Sequence, residues 1–155
     1  MINYRQFKQY AVRPITKHFP TPVKAEQCLM AFAAHESLGG TYMQQIRGPA
    51  MGPYQMEPPT KNLVDRWVRL SQPDATKAPF IWARGTYHNA PLDELRTDLK
   101  CATWYARLLL LADPHPLPKL EDWDAVYETY LRVWRPGKPP TKAQFKQAHV
   151  RWLRA

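Results

Sequence analysis

A mainly α fold is predicted for this chain from three observations. Apolar residues recur at three- and four-residue spacing rather than alternating. Sixteen prolines cut the 155 residues into helix-length pieces. Strand signals are thin, with only "FIWARGTYH" (residues 80–88) admitting a short hairpin. At this length, and with 45% apolar residues, residues 1–155 read as a single domain with one real core.

The first predicted helix follows "TPV", where Pro22 suits a first helical position. Leu29, Phe32, Ala33 and Glu36 then fall on one stripe, and Gly39-Gly40 stops the helix just past Glu36. A second helix is expected to begin at Thr60 as N-cap, with Leu63, Val64, Trp67 and Leu70 on one side. After the aromatic-rich loop "SQPDATKAPFIWARGTYHNAP", no Gly or Pro interrupts Leu92 to Ala112, and Leu92, Leu95, Leu99, Ala102, Ala106 and Leu109 keep the period. That long helix would be the central strut. Trp123, Val126, Tyr127, Tyr130, Leu131 and Trp134 mark a further helix stopped by Pro136-Gly137. The last helix starts with Thr141 and Gln144 in capping-box spacing and is expected to bury Phe145, Ala148, Trp152 and Leu153.

Lys and Arg number 22 against 13 Asp and Glu, a net charge of +9, which suits an anionic partner such as nucleic acid, an acidic membrane surface or a wall polymer. Cys28 and Cys101 lack metal-ligand spacing and lie on apolar helix faces, so buried free thiols are expected. The opening "MINYRQFKQYAVRP" has no apolar core of a secretory signal, and "LLLLA" is far short of the roughly 20 residues of a membrane span. Synthesis in a reducing cytoplasm is expected. No Walker glycine loop, Cys/His metal cluster or Gly-x-Ser-x-Gly elbow occurs, so neither metal nor other cofactor is expected.

The chemistry points to Glu36. A carboxylate at a helix C-terminus faces the negative end of the macrodipole, and an apolar neighbourhood disfavours its charged form. Both effects push its pKa up. An acid still protonated near neutral pH is what general-acid cleavage of a glycosidic bond requires. His35 is adjacent in sequence but points about 100° away on the helix, so it reads as a lone histidine rather than a dyad partner. Asp65 and Asp74 fall on predicted polar faces.

"ESLGG" followed by "GPAMGPYQMEPPT" resembles the soluble lytic transglycosylase and goose-type lysozyme superfamily, and most of all its phage-encoded members. That superfamily's first motifs are Glu-Ser and a Gly-Leu-Met-Gln-like turn ending in Pro-x-Thr. Here they read Glu36-Ser37, Gly52-Pro53-Tyr54-Gln55 and Pro58-Pro59-Thr60, with Gln55 nineteen positions after Glu36. "DLKCATWYARLLLLAD" looks like the family's long helix. The third motif, Ala-Tyr-Asn-Ala-Gly, has a blurred counterpart in "YETYLRVWRPGK", with Tyr130 in the Tyr slot but Leu131 in the Asn slot. The resemblance covers roughly residues 20 to 137.

The resemblance implies a lysozyme-like domain that cleaves the β-1,4 bond between muramic acid and glucosamine in peptidoglycan glycan strands. Glu36 would be the catalytic acid and, in a transglycosylase, also the base. Ser37 would orient it or bind substrate, with a helix C-cap hydroxyl as the alternative. Gln55 would grip the sugar or its N-acetyl group, or else tie the turn to the first helix. Tyr54 and Tyr130 would wall the cleft, and Trp82, Tyr87 and His88 are further sugar-platform candidates, aromatic packing being the alternative for each. Glu57 is the candidate second carboxylate, although a single-acid scheme is favoured. A phage context implies action from the virion or release to the wall at lysis, with other virion proteins as partners. Two other readings are an inactive virion structural or assembly protein of the same fold, and a nucleic-acid-binding helical domain using Arg132, Arg135, Lys138, Lys142, Lys146, Arg151 and Arg154. A solvated basic face is preferred for those seven residues.

Overall fold

Helices dominate the computed structural model, which describes residues 1–70 and 87–155. The chain opens with α1 (Tyr4–Phe7), a π-helical stretch (Lys8–Val12) and α2 (Arg13–Thr16). The Asn3 side chain caps the start by accepting the Gln6 N–H at 3.1 Å. The π turn has a cause in Pro14, which lacks an N–H and whose ring would press on the carbonyl four residues back. Widening the preceding turn, with the Arg13 N–H bonded to the Lys8 carbonyl, makes room for it. No helix is expected here from the patterns above, although Phe7, Ala11 and Ile15 recur every four residues and are all buried.

Next come α3 (Pro22–Ser37), α4 (Pro58–Leu70), α5 (Glu94–Thr97), α6 (Leu99–Ala112), α7 (Trp123–Trp134) and α8 (Lys142–Arg154). Every residue from Cys28 to Ala34 is buried, so α3 is core on all sides, and its alanines let neighbouring helices approach closely. It packs against α8, α7, α6 and the N-terminal helices. A second cluster forms around Trp104, Tyr105 and Leu108 of α6, with Ile15, Val64, Val68 and Leu95. Both thiols are free and buried in these cores, and burial pushes each up to about 12, which leaves them unreactive. Among the described residues no helix is long and apolar enough to cross a membrane.

Several expectations are corrected. Helix α4 starts at Pro58, not at Thr60, because Pro58 and Pro59 fit a first turn whose N–H groups would have no intrahelical partner. The strut from Leu92 to Ala112 is broken at Asp98, whose extended backbone ends α5 while its carboxylate caps α6 through the Lys100 and Cys101 N–H groups, both at 3.0 Å. Leu63, Leu70 and Leu153 are exposed at 62, 64 and 52%, because the apolar stripes of their helices are narrower than the spacing implied. The capping box at Thr141 and Gln144 forms in full. The hairpin expected over 80–88 falls largely outside the described residues, as do Trp82 and Asp74.

Asp65 is not on a polar face. It is buried between α4, α6 and the chain re-entering at residue 87. Its carboxylate accepts from Lys61 Nζ at 2.8 Å, the Tyr105 hydroxyl at 2.7 Å and the Asn89 N–H at 3.1 Å. The Lys61 ammonium also sits over the Tyr105 ring, 4.9 Å from its centroid.

Candidate active site

The end of α3 is shaped by its own residues. Ser37 Oγ donates to the Ala33 carbonyl at 3.1 Å and accepts the Gly40 N–H at 2.8 Å, and Leu38 turns left-handed at φ 50°. Ser37 is wholly buried and serves as the helix cap, the alternative to the orienting or binding role expected of it. Gly39, at φ +63°, lies against the Trp152 indole, where a Cβ would collide with the ring.

Immediately before that cap, Glu36 reaches a cleft of about 740 Å³ built from three further pieces of chain. The segment between α3 and α4 contributes Gln45, Gln55 and Glu57; the end of α6 contributes Leu109, Ala112 and Asp113; the end of α7 contributes Arg132, Trp134 and Arg135. Glu36 is half-buried, and the Tyr130 hydroxyl donates to its Oε1. Burial lifts its pKa from the ordinary 4.5 to about 7; the Tyr130 hydrogen bond pulls the other way, and the negative charge of Glu57 adds to the rise. The result is a carboxyl group that holds its proton near neutral pH at the edge of an open cleft. Burial is one of the two causes expected from sequence; the helix macrodipole is not among the causes of the rise.

Tyr130 itself is buried among Phe32, His35 and Phe145, with ring centroids at 5.5, 5.4 and 4.9 Å. It orients Glu36 from below rather than walling the cleft. His35 packs edge-on to that ring, and burial depresses its pKa, consistent with a lone packed histidine. Replacing Tyr130 with Phe removes the donor that lowers the Glu36 pKa. In an NMR pH titration of the Glu36 carboxyl, the midpoint is expected to move above that of the native protein; an unchanged or lower midpoint would refute the contact.

The Gly-Pro-Tyr-Gln turn is a rigid piece. Tyr54 is 1% exposed and lies away from the cleft surface. Its hydroxyl donates to Thr103 Oγ1 at 3.0 Å, since Thr103 itself donates to the Leu99 carbonyl. Tyr54 is a core residue and does not wall the cleft as expected. Trp134 Nε1–H donates to the Tyr54 carbonyl at 3.1 Å, which locks the turn to α7. Gln55 lines the cleft on a left-handed backbone (φ 46°), and its Nε2 donates to the Gly52 and Tyr42 carbonyls at 2.9 and 3.1 Å. Those bonds leave its Oε1 available as an acceptor. Gly52, at φ +78°, is where the turn meets α5: a Cβ there would run into the Leu95 carbonyl oxygen. Gly52→Ala is therefore expected to cost about 3 kcal/mol in urea unfolding, combining left-handed strain with overpacking against backbone.

Glu57 is exposed in the same cleft, as a second carboxylate would need to be. Tyr87 and His88 do not line it: Tyr87 stacks toward Trp104, and His88 Nε2 lies 3.3 Å from the Asp65 carbonyl. The sequence patterns also gave no warning of Asp113 and Arg132. Arg132 grips Asp113 with two nitrogens, Nε at 3.1 Å and Nη2 at 2.8 Å, and this contact holds the Asp113 carboxyl below its usual range. The pair bridges α6 and α7 in the cleft wall. Of the seven basic residues of the nucleic-acid reading, Arg132 is thus committed, and Lys142 and Lys146 both pair with Asp124.

Neither a protein-family model, nor a curated protein, nor a solved structure matches the chain.

Proposed function

We propose that the chain cleaves the β-1,4 glycosidic bond of peptidoglycan, with Glu36 as general acid, as a lytic transglycosylase or lysozyme-type muramidase of the lysozyme-like superfamily. The observation that supports this most is the half-buried Glu36 carboxyl, protonated to about pH 7 and held by Tyr130 beside an open cleft. Glu36 gives its proton to the glycosidic oxygen as the C1–O bond breaks. The muramic acid 6-hydroxyl then attacks C1 and returns its proton to the Glu36 carboxylate, leaving an anhydro-sugar and no net change in the enzyme. A single acid–base suffices for this route, and the left-handed Gln55 presents its acceptor to the sugar. Were water the nucleophile instead, Glu57 would be the carboxylate to activate it.

The proposal includes a phage setting, in which the enzyme acts from the virion or reaches the wall at lysis; the basic charge suits an anionic wall through long-range steering. The test is digestion of purified sacculi followed by mass spectrometry of the released muropeptides. Anhydro ends, one water lighter than reducing ends, mark a transglycosylase; reducing ends mark a hydrolase. No release by folded protein would overturn the enzyme reading and favour the structural one, to which Leu131 in the Asn slot of the third motif already points.

A further inference from the structure

Arg135 stands where a helix of this kind would normally place glycine. It follows the last residue of α7 and adopts a left-handed backbone at φ 49°, a conformation in which the Cβ of any L-residue crowds the next carbonyl. Glycine would take that conformation without the penalty. A side chain kept at such a position is held there at the expense of stability, and strain of this sort gathers at functional sites. Gln55 in the same cleft carries the same kind of strain, as do Thr21, Leu38, Arg47, Asn89 and Glu121 outside it, so the case for Arg135 rests on its side chain.

The surroundings of Arg135 show what its side chain is free to do. Among the described residues lining the cleft, Arg132 and Arg135 carry the positive charge, and Arg132 is spent on Asp113. Arg135 is exposed, and its Nε donates to the Arg132 carbonyl at 3.4 Å. That bond steadies the guanidinium against the helix end and leaves both terminal nitrogens uncommitted. A planar fork of N–H donors, fixed at one edge and open at the other, matches a carboxylate.

Resting on the muramidase reading, we propose that Arg135 is a specificity-determining residue that binds a carboxylate carried on the muramic acid side of the glycan. That carboxylate is one on the attached peptide or, where the peptide has been removed, the lactyl carboxylate freed from its amide bond. The cleft would thereby distinguish an acidic wall glycan from a neutral amino-sugar polymer.

The experiment measures the affinity of soluble glycan fragments in a Glu36→Gln background, so that nothing turns over. Fragments are used native, with their carboxylates converted to amides by carbodiimide and ammonia, or stripped of peptide so that only the lactyl carboxylate remains. Native fragments are expected to bind about tenfold more tightly than amidated ones, as one charge-assisted contact gives, and Arg135→Ala is expected to bring that ratio close to one. Arg151→Ala, on the exposed face of α8, controls for general steering and should keep the ratio. Stripping frees the lactyl carboxyl from its amide bond, so stripped fragments that still bind tightly show that the lactyl carboxylate can also fill the site, and stripped fragments that bind like the amidated ones name the peptide carboxylate. Arg135→Gly adds a second readout. It is expected to lose the preference while raising Tm by about 3 °C, because strain is relieved. A ratio unchanged in Arg135→Ala, or absent in the parent, overturns the proposal; so does a fall in Tm in Arg135→Gly, which would make the side chain a helix cap. Release of muropeptides from sacculi is scored separately, so failure of the muramidase reading stays distinguishable from failure of this one.

Discussion

Glu36→Gln is expected to abolish muropeptide release from sacculi and, at the same time, to make the protein more stable. The loss follows from the role of the carboxyl as acid and base: an amide can neither give the glycosidic oxygen a proton nor take one back, and the rate should fall roughly 10³-fold. The gain follows from linkage. The folded-state pKa of Glu36 lies near 7, above the ordinary 4.5, so below pH 4.5 the group is neutral in both states and costs nothing. Between pH 4.5 and 7 the unfolded chain ionises first and draws the equilibrium towards unfolding, and above pH 7 the full penalty applies. It is about 3 kcal/mol. Gln is isosteric and can still accept from Tyr130, so urea unfolding at pH 8 should show the variant more stable by an amount of that order. The difference should vanish at pH 4. The alkaline limb of native activity should fall in the same range, since the acid is lost as pH rises through 7. An active variant, or a stability difference that does not depend on pH, would remove Glu36 from the centre of the site.

Asp65→Ala is expected to cost about 4 kcal/mol, a large share of the total stability of a domain this size. The residue is buried with Lys61, and its removal strands an ammonium whose side chain is 7% exposed, takes the shorter acceptor from the Tyr105 hydroxyl and leaves the Asn89 N–H without its carboxylate. A buried charge without its partner is the expensive outcome, whereas replacing the pair together is not. The double variant Lys61→Met with Asp65→Leu should therefore recover most of the loss. A cost below about 1 kcal/mol for Asp65→Ala, measured by urea unfolding, would mean that the network is solvated in solution.

Much of the helical layout was legible in the sequence because it is written locally. Pro22 and the Gly39-Gly40 stop bound α3, the Thr141/Gln144 box opens α8, and the spacing of α7 places Tyr130 on its buried side. The position of Glu36 at a helix end beside an apolar stripe was equally local, whereas the rise in its pKa comes from burial that the packing supplies. The break at Asp98 was not legible, because no Gly or Pro marks it and an aspartate ends one helix only when its carboxylate turns to cap the next. The exposure of Leu63, Leu70 and Leu153 escaped for a related reason: periodicity shows which residues share a face, and only the neighbouring helices decide how much of that face is covered.

What the sequence determined by itself, then, was a set of helices, most of their ends, and one carboxyl placed at the end of an apolar stripe. What the tertiary structure decided was which polar groups share a space. Ser37 and Tyr54 go inward because the cap and the Thr103 hydroxyl satisfy them, and Asp65 goes inward because Lys61, Tyr105 and Asn89 converge on it. Arg132 and Asp113, nineteen residues apart, meet only because α6 and α7 bring their ends together, which leaves Arg135 as the uncommitted cation among the described residues lining the cleft. Such pairings depend on distances through space, and spacing along the chain carries no record of them.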